Sequence, residues 1–193
     1  MTQAIIFDCF GVLTTEGWIA FKNKHFGGQP EKMKRATELS RMLNSGYMGY
    51  EDSVREIAAL AGVKPDVLDH VLRNVAANDE LLGYIREALK PKYKIGLLSN
   101  VGTNRLGSIF VDNDIALFDV ILLSHELGII KPDPRSYETM ALKLGIALED
   151  CVFVDDLERN VNGARSAGMQ AVRYHDFEQM KADLEELLAN PKG

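Results

Sequence analysis

Four places along the 193-residue chain carry side chains whose types could do chemistry together. Asp8 stands in Phe7-Asp8-Cys9-Phe10-Gly11-Val12-Leu13. Ser99-Asn100 pairs a hydroxyl with an amide. Lys131 opens Lys131-Pro132-Asp133-Pro134, and Asp155-Asp156 are adjacent acids. Carboxylates serve as nucleophiles, as general acids or bases, and as oxygen ligands of hard cations. Each place also has a plain structural reading. An Asp after an apolar run is often a helix cap or turn residue, Ser-Asn is a common turn pair, and Lys-Pro is an ordinary loop. The acid pair is less ordinary, because two adjacent carboxylates repel unless a cation or solvent relieves them.

Chemistry needs these side chains at one point, so the elements that position them matter. Five short apolar runs, Ala4–Phe7, Ile95–Leu98, Val120–Leu123, Val152–Val154 and Gln170–Val172, have the look of strands covered on both faces. Helical spacing fills Asp79–Leu89, Leu106–Phe110, Arg135–Leu144, Val161–Ala167 and Asp176–Leu188. Alternating strand and helix predicts an α/β fold with an open parallel sheet. Ligands of such sheets bind beyond the carboxyl ends of the strands. Three of the four places directly follow a strand and Lys131 follows the third after a short run, so all four are expected on one rim. One stretch breaks the rhythm. Between Leu13 and Tyr93 no further strand is expected, and a structureless loop beyond ~15 residues is uncommon. Trp18–His25, Glu31–Asn44, Tyr50–Ala61 and Pro65–Asn74 instead read as helices of an inserted lobe. The expected division is 1–14 with 78–193 as the sheet domain and 15–77 as the helical one.

In this order and in these strand contexts, the four elements resemble the signature of the haloacid dehalogenase (HAD) superfamily of hydrolases. The insertion resembles that family's small helical cap. Ile130-Lys131-Pro132-Asp133-Pro134 and the stretch Val154 to Ala164 are similar to its bacterial sugar-phosphate phosphatases. The resemblance implies a Rossmann-like three-layer fold with strand order 5-4-1-2-3 and an inserted cap. It implies Asp8 as nucleophile toward phosphorus, through an aspartyl-phosphate, with Lys131 as the neighbouring cation. It implies Mg²⁺ held by Asp8, the Phe10 carbonyl, Asp156 and Asp155, the last directly or through water. Phosphate oxygens would rest on Ser99, Asn100, Lys131 and the backbone N–H groups around Phe10 and Gly11. Asn160 would order the loop behind them. The implied substrate is a small phosphorylated metabolite. One position departs from the pattern: the family's phosphatases usually carry a second Asp two residues after the nucleophile, and here that residue is Phe10. An aromatic there, with Ser99-Asn100, also fits 2-haloacid dehalogenases, and a weakly active or non-catalytic binder of phosphorylated ligands is a third reading. The Asp155-Asp156 pair favours the metal-dependent phosphatase, because three acids at one rim make electrostatic sense only with a cation.

Composition narrows the remainder. Apolar residues make up 46% and charged residues 26%, and the formal charge is −6, so no global basic footprint for nucleic acid exists. No apolar run approaches the ~18–20 residues that cross a bilayer. Met1 to Phe10 has no basic region, so no signal peptide is expected and the cytoplasm is the simplest compartment. Neither GxGxxG nor GxxxxGK[ST] occurs. Cys9 and Cys151 are expected at opposite ends of neighbouring strands, beyond disulfide reach. Cys9 and the four histidines read as packing or surface residues, and Trp18, Phe21, Tyr47 and Met48 as core of the helical lobe. Trp18 is the one of these placed to reach substrate, where the chain enters the lobe. A Lys131 that acts by charge is expected to matter for rate and barely for stability.

Overall fold

The computed structural model describes residues 1–189. The last four positions of the expected sheet domain, 190–193, lie outside the described residues. Five strands form one parallel sheet in the order β3-β2-β1-β4-β5: β1 (Ala4–Phe7), β2 (Lys94–Ser99), β3 (Val120–Leu123), β4 (Cys151–Asp155) and β5 (Gln170–Arg173). This is the expected order, with β1 central. Its four residues, Ala-Ile-Ile-Phe, are all buried, as a strand covered on both faces requires.

The chain leaves β1 for four helices: α1 (Trp18–Phe26), α2 (Pro30–Asn44), α3 (Tyr50–Ala61) and α4 (Pro65–Arg73). Prolines at the first turns of α2 and α4 suit that position, where no intrahelical N–H bond is lost. Gly62, at φ +71°, ends α3 in the left-handed conformation that glycine tolerates best. These helices bury their own core of Phe21, Phe26, Leu39, Val54, Ile57 and Leu68. Tyr47, expected in that core, is instead 79% exposed, because it falls in the α2–α3 loop beyond the apolar stripes.

On the sheet side follow α5 (Asp79–Tyr84), continued by one π-turn at Ile85–Leu89, then α6 (Leu106–Ile109), α7 (Asp112–Ile115), α8 (Ser124–Leu127), α9 (Pro134–Leu144), α10 (Glu158–Ala167) and α11 (Phe177–Ala189). Sequence periodicity misses α7 and α8, each four residues long and too short to show a face. The sheet is covered by one apolar cluster on each face. One includes Ile5, Phe7, Leu97 and Met180, and the other Ile6, Leu98, Tyr137 and Phe153. Cys9 and Cys151 are both free and buried. The pairing Ala4 with Cys151 sets Cys9 at the other end of its strand.

Candidate active site

Register builds the site. Phe7 pairs with Val154 across β1 and β4, and the Asp8 N–H donates to Val154 O at 2.9 Å. The next residues along, Asp8 and Asp155, therefore leave the two strands side by side. Asp156 follows, and Gly11 makes room for it. At φ +91° Gly11 is in left-handed territory, and a Cβ there would lie 2.8 Å from Asp156 Oδ2. Asp8, Asp155 and Asp156 each offer a carboxylate oxygen within 4.8 Å of the others.

One cation stands among these acids. Lys131 is 2% exposed, and its Nζ lies 2.7 Å from Asp8 Oδ1 and 2.8 Å from Asp155 Oδ2, while also donating to Leu98 O at 2.8 Å. Asn100 fixes it by the backbone: Asn100 Nδ2 donates to Lys131 O at 2.9 Å, and Lys131 N donates to Asn100 Oδ1 at 2.8 Å. One Asn100 amide hydrogen and the buried Ser99 hydroxyl are left without a protein partner. Asp155 is sealed in. Its oxygens accept from Lys131, from Asn160 Nδ2 at 3.0 and 3.1 Å, and from Leu157 N at 2.9 Å. Asp155 thus holds Lys131 in place, and Asn160 holds Asp155.

The charges do not balance. Burial, with Asp155 and Asp156 nearby, pushes Asp8 well above the usual carboxylate range against the pull of Lys131. Burial and Asp155 push Asp156 up to about 6. Burial pulls the Lys131 ammonium down, but Asp155 and Asp8 together outweigh it and its net shift is upward. One lysine therefore faces three carboxylates, and Asp156 Oδ1 is buried with no hydrogen-bond partner. That orphaned oxygen, the deficit of positive charge and an all-oxygen donor set fit a hard divalent cation.

The cleft over Asp8 is lined on one side by the helical lobe. Glu16, Trp18, Lys22, Ser40, Arg41 and Asn44 line it from that side, and Asn100, Lys131, Asp156 and Arg159 from the sheet side. Trp18 reaches the cleft, as its place at the lobe entrance suggested. Glu16, Lys22, Arg41 and Arg159 were missed. Trp18 and Lys22 are four apart on α1, so their shared face was legible, but nothing in the spacing says which face meets Asp8. Glu16 accepts from Ile19 N at 2.9 Å at the start of α1, and burial holds its carboxyl above the usual range.

The family model described as haloacid dehalogenase-like hydrolase matches residues 2–168. The chain is 30% identical to Phosphatase MT3486 of Mycobacterium tuberculosis, over 88% of this chain and 85% of that protein. It is 24% identical to (S)-2-haloacid dehalogenase 1 of Pseudomonas sp. (strain CBS-3), over 90% and 84% of the two chains. The crystal structure of a HAD family enzyme from Bacteroides thetaiotaomicron, in complex with magnesium and inorganic phosphate, shares the fold. Its TM-score is 0.69 at 23% identity, covering 91% of this chain and 95% of that one.

Proposed function

The chain belongs to the haloacid dehalogenase-like hydrolase family, and from that premise we propose that it is a Mg²⁺-dependent phosphatase of small phosphorylated metabolites. The observation that carries this reading is the three-carboxylate cluster with a single lysine and an orphaned Asp156 oxygen. A dehalogenation site has no phosphate dianion to neutralise and so no use for that excess of acids. The phosphatase name of the Mycobacterium relative supports the same choice.

In this reading Asp8 attacks phosphorus and carries the phosphoryl group as an aspartyl-phosphate until water releases it. The Lys131 ammonium offsets the charge of nucleophile and phosphate, and Asp155 and Asn160 keep it aimed. The Ser99 hydroxyl, the free hydrogen of the Asn100 amide and the Phe10 N–H donate to phosphate oxygens, whereas the Gly11 N–H, expected among these donors, is spent on Thr14 O at 2.8 Å. Asp8, Asp156 and the Phe10 carbonyl would hold the Mg²⁺, with Asp155 behind them. The ion supplies the second positive charge that lets an anion approach a dianion. Phe10 can neither give nor take a proton. In the cleft lining, Glu16 is the carboxyl that the helical side contributes, and it is engaged at the start of α1 by Ile19 N. The helical segment 15–77 serves as the cap, excluding water and facing the leaving group.

The test is phosphate release from a panel of small phosphate esters, with Mg²⁺ and with excess chelator, for wild type and Asp8→Asn. Release that needs both metal and Asp8 is expected. Chelator-resistant halide release from a 2-haloacid would install the dehalogenase reading instead.

A further inference from the structure

Beside the cleft over Asp8 lies a second, partly open chamber of about 140 Å³ between the helical lobe and the loop after β2. Phe10, Glu16, Trp18, Ser40, Asn44 and Asn100 line both spaces. A group attached to a phosphate on Asp8 therefore has this chamber as its neighbour, past the ring of Phe10. The chamber's remaining wall is mostly apolar: Leu43, Val54, Ile57, Leu72 and Val75. Tyr50 adds a ring whose hydroxyl is already committed to Asp69 at 2.7 Å.

Two polar atoms in this wall have no partner. Ser53, on α3, is completely buried, yet its hydroxyl makes no hydrogen bond. A helical Ser ordinarily turns back to the carbonyl four residues earlier, and this one does not. Arg105 spends one terminal nitrogen on Leu72 O at 2.9 Å, but its Nε is buried and unpaired. A buried polar group left without a partner costs about 1–3 kcal/mol, so two of them in one apolar chamber need an explanation. An apolar cavity with a few convergent polar atoms is the usual form of a small-molecule site.

Size narrows the occupant, since an apolar cavity of about 150 Å³ accepts a benzene molecule. Resting on the phosphatase reading, we infer that this chamber receives the substrate's leaving group: a single-ring-sized apolar body bearing an oxygen substituent that pairs with Ser53 Oγ and Arg105 Nε. An aryl phosphate with a hydroxyl across the ring is the simplest such compound. It also suits a site with no acid at position 10, since an aryl oxygen leaves with little protonation.

The experiment measures calorimetric binding of methylphosphonate, phenylphosphonate and 4-hydroxyphenylphosphonate to the Mg²⁺-loaded protein. Phenylphosphonate is expected to bind at least about tenfold more tightly than methylphosphonate, with a further gain of about three- to tenfold for the 4-hydroxyl. Ser53→Ala should remove the 4-hydroxyl gain and keep the ring's advantage. Ser53→Leu, which fills the chamber, should bring the phenyl-to-methyl ratio close to one. Equal affinity of the three probes for wild type overturns the inference without any variant having to fold, as does a ring advantage that persists in a folded Ser53→Leu. Asp8-dependent turnover of acetyl phosphate, which carries no ring, reads the phosphatase proposal separately. Its loss alongside a retained ring preference would remove that proposal and, with it, the assignment of the chamber to a leaving group.

Discussion

Lys131 is the residue on which the site's electrostatics turn. As the partner of both Asp8 and Asp155 it offsets two buried acids, so the sequence expectation that its removal would spare stability does not hold. Taking one partner from a buried ion pair costs about 3–5 kcal/mol, because the charges left behind stay desolvated. Lys131→Met should lose stability of that order in denaturant titrations and lower kcat by about 10²–10³, the usual effect of removing one electrostatic donor. A variant as stable and as fast as the parent would return Lys131 to a packing role. Phe10 bears on the other half of the reaction. General acid catalysis is worth about 10²–10⁴ in rate, so Phe10→Asp should raise turnover of alkyl phosphates more than of aryl phosphates, whose oxygens leave unaided. An unchanged alkyl-to-aryl ratio in a folded, Mg²⁺-binding variant would mean that another group already supplies the proton.

Among the elements, the joint between lobe and sheet is where fold becomes function. The chain enters the lobe at Thr14-Thr15 and returns at Ala76-Ala77, and the two crossings are tied together. Thr15 N donates to Ala76 O, and Ala76 N to Thr15 Oγ1, both at 2.9 Å. Asn78 then caps α5, accepting from Leu81 N at 3.2 Å, and its own N–H donates to Leu13 O at 2.9 Å. Farther out the lobe rests on the loop after β2. Ser124 Oγ donates to Asn44 O at 2.6 Å and accepts from Val101 N at 2.9 Å. Leu43 sits so close over Gly102 that a Cβ there would be 2.2 Å from its Cγ. Gly102→Ala should push α2 off the sheet side, costing about 1–3 kcal/mol as overpacking does. A thermal melt reads that loss, and, in the proposed phosphatase, a raised KM for phosphate esters reads the displaced helical lobe. Unaltered melting and KM would show that α2 is free to shift at this contact.

For the molecule as a whole, the unbalanced acids make stability depend on pH and metal together. Asp156 rises from 3.8 to about 6 on folding, so within that window the folded chain keeps a proton that the unfolded chain has released. By linkage, its contribution to stability falls as pH rises through the window and stays lost above it. In the proposed phosphatase, Mg²⁺ would bind the deprotonated acids and reverse the loss. The gain in melting temperature on adding Mg²⁺ should be larger near pH 7.5 than near pH 5, and should shrink in Asp156→Asn; equal gains at both pH values would remove Asp156 from the metal's ligands. No helix among the described residues is long and apolar enough to cross a membrane, in keeping with the dispersed apolar pattern of the chain. Much of this molecule was legible before folding. The β-runs from Ala4 to Val172 and the four helices of 15–77 announce themselves through local periodicity, and a parallel sheet obliges Asp8, Ser99 and Asp155-Asp156 to meet at its carboxyl edge. What tertiary structure alone decided is how those groups divide the work. Asp155 faces inward to hold Lys131 while Asp156 keeps a free oxygen, although both occupy the same strand end with the same chemistry. Glu16, Arg41, Ser53 and Arg105 reach one pair of cavities from segments far apart in the chain. Periodicity records which side chains share a face of one element, whereas a cavity exists only in the relative placement of several, and no local pattern encodes that.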